Sequence, residues 1–490
     1  MLCFDCYYRC TEGEQQPCPD SLSDLGYPPR TVELELEHLL KDYGSLAYGR
    51  RQKAPCGAWR AEQNLLQDHQ AGRFTNRVHV YQQTGIRETP FGNYVGYVSL
   101  RPPMGKRGHA SKEKYRYTIV ANLTPPFHMQ RPRYHIITCL AGPPDGVLPF
   151  SAAPFCVPRH DTKSRASCAH MALHQALLLK AEQFGFCPIT SQDLLNALWE
   201  QEKQRFSGKA RTLDQISHDG CTLEEVPPIL SKANAGGVLE TFLDHEPHHD
   251  YEVVRCLTDY LANDLPVIAE LEHSKRAKRH HAVLVLGMHL LQDAEDKPIP
   301  GPAPDTENVA WAELPGRLVV HDVGEGPFCE MQTAAFLKKA WFRGKPEDPC
   351  SLSFLALAPL GTQVGIKTVR ARSRRFVSTR AWMLQQFRDQ CAAEDLTPDG
   401  LRYVTRLLKS WQVEQWYLQK ASNARPPVPG DRNRYCWCVE VRLPRGKGAA
   451  AGPGKNLLFP LFVLVWGADA LNREQPDLAL VLKGEQLVSL

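Results

Sequence analysis

Three short segments of this chain carry the residue types of a sulfur nucleophile and its helpers. Cys168 stands in SRASCAHMALHQALLLK, His281 in RHHAVLVLGM and Asp322 in RLVVHDVGEGPF. A cysteine attacks as the thiolate, an imidazole takes and returns its proton, and a carboxylate holds the imidazole in one tautomer. Such a set supports acyl transfer. Sulfur attacks a carbonyl, backbone amides hold the oxyanion, the imidazolium protonates the departing group to leave a thioester on the enzyme, and water then hydrolyses that thioester. Residue types do not fix water as the acceptor, and an amine in its place gives a transglutaminase-like acyltransferase.

Each of the three has a plainer explanation when taken alone. Most cysteines are inert packing residues, a histidine at the mouth of a strand can simply face solvent, and an Asp at a strand end commonly starts a turn. Their contexts add weight. Cys168 opens a strongly apolar helix that ends near Gly185, so its sulfur meets unpaired N–H groups and the positive dipole end. His281 leads AVLVLGM, an apolar strand closed by Gly287. His280 is equally available by composition, but strand neighbours point to opposite faces, so only one of the two can reach Cys168. Asp322 follows LVV and His321 and precedes a Gly/Pro turn.

These elements must be positioned by a larger framework. Residues 1–30 are Cys-rich and weakly patterned, and helical spacing dominates 31–65. Residues 31–150 as a whole are expected to form a β-rich α+β domain, because RVHVYQQT, GNYVGYVSLRP, KYRYTIVANL and PRYHIITCLAG cluster β-branched and aromatic residues between turns. The candidate residues fall in 151–345. Helices are expected there at 168–183, 190–204, 222–234 and 251–263, and strands at 266–271, 281–290 and 317–322. Thr190 with Asp193 reads as a helix-start pair. Residues 346–490 are expected to be a further α+β region, with helices near 378–394 and 398–421 and strands at YCWCVEVRL and from Leu458 to Trp466.

The order and contexts of the trio resemble the papain-like cysteine peptidases, in particular the bacterial branch of double-glycine leader peptidases. The likeness covers about residues 155–345: ASCAHMALHQALLLKAEQFG, ITSQDLLNAL, LTDYLANDLPVIAEL, HHAVLVLGM, VVHDVGEGPF and the helix MQTAAFLKKAW. It implies an α+β fold in which a helix carrying Cys168 packs on an antiparallel sheet carrying His281 and Asp322. It also implies a nucleophile, a general base and acid, and an orienting carboxylate in that order, acting on a peptide or isopeptide bond. Two departures stand out. Ala169 replaces the usual Gly after the nucleophile, and PRHDTKSRASC holds no Gln to donate to an oxyanion. His160, Arg159, Thr162 or Ser164 is the substitute on offer, with His160 the residue singled out. Losing one such donor typically costs about two to three orders of magnitude in rate, so a catalytically weak module that binds peptides or proteins is the second expectation.

Other clusters have less to offer. Cys3, Cys6, Cys10 and Cys18 begin with a C-x-x-C spacing, but no second pair follows, so reduced thiols are preferred to a zinc site. His170 and His174 lack the intervening Glu of a metalloprotease helix and read as packing residues. His245, His248 and His249 read as a solvated loop, HSKRAKRHH as a solvated hairpin tip, and Cys436 with Cys438 as packing on one strand face. No cofactor and no metal are expected. A net charge of +4 over 490 residues leaves no footprint of a nucleic-acid binder. No signal peptide or membrane span is visible, and sixteen cysteines then point to reduced thiols in the cytoplasm. The expected partner is a peptide or protein substrate.

Overall fold

The computed structural model describes residues 46–53, 76–82, 94–100, 117–130, 133–141, 150–159, 167–187, 191–205, 211–212, 215–216, 221–243, 247–274, 279–289, 315–341, 350–380, 382, 385, 402–417, 433–442, 462–469, 474–483 and 486–489. Helices and antiparallel strands mix in an α+β arrangement. In chain order the strands before the first helix are β1 Leu46–Lys53, β2 Asn76–Gln82, β3 Tyr94–Leu100, β4 Tyr117–Leu123, β5 Tyr134–Ile136, β6 Cys139–Ala141 and β7 Phe150–Arg159. Then come α1 Ser167–Phe184, α2 Ser191–Arg205, β8 Ala235–Leu243, α3 Pro247–Ala262, β9 Val267–Ser274, β10 Arg279–His289, β11 Arg317–Asp322, β12 Gly326–Gln332 and α4 Thr333–Ala340. The last elements are β13 Ser351–Pro359, α5 Ile366–Ser378, β14 Arg402–Lys409, α6 Ser410–Tyr417, β15 Tyr435–Arg442, β16 Phe462–Gly467, β17 Leu478–Lys483 and β18 Gln486–Ser489.

Two compact units result. The first takes Met1–Ala235, Pro266–His289 and Arg317–Met331, and the second takes Gly236–Leu265, Leu290–Gly316 and Gln332–Leu490. In the first unit, one sheet runs β1-β2-β3-β4-β7-β6. β7 pairs along its length with β4, from Tyr117↔Arg159 to Leu123↔Ala153, so this sheet continues to the edge of the Cys168 segment. A second sheet holds β12-β11-β10-β9, with β5 pairing to β10 beyond β9. β10 is its axis. β9 covers Arg279 to Val285, β5 covers Gly287 to His289 on the same edge, and β11 covers Leu284 to His289 on the other.

α1 lies between these layers, against β7 and β10. Its eighteen residues contain no β-branched residue, Gly or Pro, all of which weaken helix interiors. It is buried on nearly every side from His170 to Leu177, as expected of a central helix. Met171 and Leu178 pack on Cys156, and Gln175 Nε2 donates to the Cys156 carbonyl at 3.1 Å. The helix stops at Gly185, whose φ of +69° suits a residue without Cβ, and Asn234 Nδ2 ties off the Gly185 carbonyl at 2.9 Å.

In the second unit, β8 pairs with β13, and β14 to β18 form a five-stranded meander. Trp437 and Trp466 are almost fully buried there, and their indole N–H groups donate to the Val364 carbonyl and the Ser373 hydroxyl. Cys436 and Cys438 lie on the opposite face of β15 from Trp437 and pack in a cluster with Val463 and Val465.

Several local expectations are corrected. Leu46–Lys53 is a strand rather than part of a helix, because it pairs with β2. Residues 222–234 are not one helix. Consecutive Pro227 and Pro228 remove two donors, leaving short turns at Leu223–Glu225, Pro227–Leu230 and Ser231–Ala233. Within the helix expected near 398–421, the described residues 402–417 form β14 followed by α6, since Arg402–Lys409 finds an eight-residue partner in β15. β8 and α5 were not expected at all. Two glycines hide β8 and five arginine or lysine residues hide α5.

Candidate active site

Cys168 is the second residue of α1, where backbone N–H groups lack partners inside the helix. His281 sits near the start of β10 and Asp322 ends β11. The pairing of these neighbouring strands sets Leu284 against His321, so the two polar residues end up beyond the last paired rung, at the same end of the sheet. His281 Nε2 lies 2.7 Å from Asp322 Oδ1. Its other side is hydrogen-bonded to the Cys168 sulfur. The three side chains singled out from sequence therefore form one chain of contacts.

Asp322 also receives the amides of Gly324 at 2.7 Å and Glu325 at 3.3 Å, both on Oδ1. Starting the turn and orienting the imidazole are thus one task of one oxygen. β12, the strand after the turn, begins on unusual backbone. Gly326 has φ +125° and Phe328 φ +53°, an unusual value for a bulky residue. Phe328 is fully buried with its ring edge-on to His321 at 4.8 Å, and Phe155 of β7 meets the same imidazole at 5.2 Å. His321 is a packing residue on the opposite strand face from Asp322.

The electrostatics favour an ion pair. Burial alone would raise the Cys168 thiol. The His281 hydrogen bond, the amides of Ala282 and Ala169, and the imidazolium charge outweigh it and pull the thiol below its ordinary value. For His281, burial opposes the proton. The Asp322 hydrogen bond and the Cys168 sulfur overcome this and push the imidazole up to about 10. Burial likewise works against the Asp322 carboxylate, and His281 with the two turn amides brings it below its usual range. Other cysteines move the opposite way. Burial pushes Cys139 up to about 11 and Cys221 and Cys256 up to about 12, and raises Cys436 and Cys438.

Two donors at the sulfur were not foreseen. The Ala282 amide donates to Cys168 Sγ at 3.4 Å, and the Ala169 amide bonds to it as well. A backbone N–H carries no residue-type signal. Cys221 was also missed. It feels the charges of Glu225, Cys168, Arg211 and Glu270, which puts a second, unreactive thiol beside the first.

Of the remaining candidates, His170 is buried on α1, where burial holds it down at about 4, and His174 is buried one turn on. Among the described residues no group of three or more His, Cys, Asp and Glu side chains is arranged to hold a metal. His160, Thr162, Ser164, Thr190, His245, residues 275–278, and Cys3, Cys6, Cys10 and Cys18 lie outside the described residues, as do the side chains of Arg159, His248 and His280. Among the described residues no helix is long and apolar enough to cross a membrane. The sequence matches no family model and no curated protein.

Proposed function

We propose that this chain is a papain-like cysteine peptidase that cleaves a peptide or isopeptide bond through Cys168, His281 and Asp322. The observation that carries this reading is the continuous contact from thiol to imidazole to carboxylate, with Asp322 Oδ1 2.7 Å from His281 Nε2. A buried His–Asp pair has other uses. A thiol lowered while five others are raised, at the start of a helix and against that imidazole, has few.

The geometry supports the following steps. The Cys168 thiolate attacks the substrate carbonyl. The helix-start amides, with Ala282 N–H nearby, are the donors placed to receive the oxyanion in place of the absent Gln. His281 gives its proton to the leaving amine, and Asp322 holds the ring and its charge. Water, activated by the now neutral His281, then hydrolyses the thioester. An amine acceptor would turn the same site into an acyltransferase, and the amides at the sulfur argue against a purely peptide-binding module. The described cysteines are all free thiols, which suits a reducing cytoplasmic setting.

A limiting dose of a thiol-directed electrophile tests the reading. Cys168 should be labelled well ahead of the other fifteen cysteines, and His281→Ala should erase that preference. Uniform labelling of all accessible thiols would sink it. Peptide-library cleavage that disappears in Cys168→Ser, run with and without an added primary amine, then separates hydrolysis from acyl transfer.

A further inference from the structure

Two helices of the second unit gather more positive charge than the described residues balance. Arg255 and Asp259 stand four apart on α3, and Arg370 and Arg374 stand four apart on α5, so each pair shares a helix face. Asp259 is bonded to Arg370 through Nη2, which engages the one carboxylate of the set. One turn away on each helix, Arg255 and Arg374 meet no carboxylate among the described residues. Arg255 donates to the Tyr251 hydroxyl at 3.1 Å and to the Tyr403 carbonyl at 3.4 Å. The Arg374 guanidinium lies 5.8 Å from the centre of the Tyr403 ring.

The deepest of the three is underused. Arg370 is only 6% exposed, yet its Nε has no hydrogen-bond partner among the described residues, and neither has the Nε of Arg374. A buried donor without a partner is costly, more so when charged. Burial first, then the charge of Arg255 and more weakly that of Arg374, brings the Arg370 guanidinium down to about 9. An arginine keeps its proton at neutral pH, so the lowering records burial and the neighbouring arginine charges outweighing the single Asp259 pairing. The nearby Glu240 is occupied by the Tyr260 hydroxyl and the Lys367 amide, and Glu252 forms no ion pair with either rim arginine among the described residues.

We propose that Arg255, Arg370 and Arg374 form a binding site for a phosphate group, with Arg370 as its floor and the half-buried Arg255 and Arg374 as its open rim. Guanidinium N–H groups from two helices converge there, and a tetrahedral dianion offers oxygens in more directions than a carboxylate does. The phosphate is either free or the ester group of a small molecule. This site is independent of the thiol chemistry.

Calorimetric titration of the full chain with inorganic phosphate, against potassium chloride at equal ionic strength, is the test. Saturable heat with phosphate alone is expected. Loss of one charged hydrogen bond should weaken binding about tenfold in Arg374→Gln and in Arg255→Gln, whose partly exposed positions tolerate replacement. Displacement by phosphoserine or by a nucleoside monophosphate would identify an ester as the ligand, and displacement by neither would leave free phosphate. Cys168→Ser should bind phosphate unchanged. Absence of saturable heat, or an unaltered affinity in the double arginine variant, overturns the proposal.

Discussion

At the scale of the residue, the reactive character of Cys168 is borrowed. The thiol is buried enough to be raised, and it is the imidazolium and two amides that bring it down. The imidazolium in turn depends on Asp322, because burial by itself would strip its proton. The ion pair therefore exists between two limits. The thiolate is lost as pH falls through the lowered Cys168 value, and the imidazolium is lost as pH rises through about 10. Asp322→Asn keeps the shape and most of the turn but removes the charge. His281 should then lose its proton far earlier and the Cys168 thiol should rise. A paired opposite charge is worth about one to three pKa units, so alkylation of Cys168 should slow at pH values below its raised midpoint, by up to roughly ten- to thousand-fold. Ultraviolet titration of the thiolate should show its midpoint moving upward. An unmoved midpoint would mean that Asp322 only builds the turn.

At the scale of the element, β10 organises the site. It must pair with β9 early and β5 late on one edge while following β11 on the other. A bulge at Leu286 absorbs the mismatch, since Val285 faces Val320 while Gly287 faces Val319. β5 then approaches so closely that a Cβ on Gly287 would lie 2.7 Å from the His135 carbonyl oxygen. Gly287→Ala should cost about 1–3 kcal/mol of stability, the usual range for overpacking, seen as a lower denaturant midpoint. Gly287 is about 20 Å along the strand from His281 at the usual rise per residue, so the alkylation rate of the folded protein should stay unchanged. Gly287 was legible in the sequence only as the end of an apolar run; its reason is tertiary. The helix of Cys168, the strand of His281 and the strand of Asp322 could be read because each is strongly patterned and short-range rules suffice. β14 could not, because RYVTRLLK has helical spacing and becomes a strand only through its register with YCWCVEVR. Ala282 was invisible for a different reason, since its contribution is an amide that every residue carries.

At the scale of the whole molecule, the first unit holds imidazoles that must stay neutral. His321 is enclosed by Phe155 and Phe328, which join β7 of one sheet to β12 of the other. Burial holds it down at about 3, and holds His170 inside α1 at about 4. Both folded values lie below the ordinary histidine value of 6.5. Between those limits the unfolded chain binds more protons than the folded one, so stability is fully present above pH ~6.5 and is lost as pH falls toward the folded values. Each histidine should contribute a slope approaching about 1.4 kcal/mol per pH unit through that window. Asp322 adds to the loss only lower down, where its carboxylate begins to protonate. Urea unfolding between neutral pH and pH ~5 should therefore show a steadily falling midpoint. His321→Phe keeps an aromatic ring between Phe155 and Phe328 and removes one titrating group, so it should flatten the slope by about one proton's worth. A variant with the parent's full slope would show that His321 carries none of the acid sensitivity and that the two sheets are joined by packing alone.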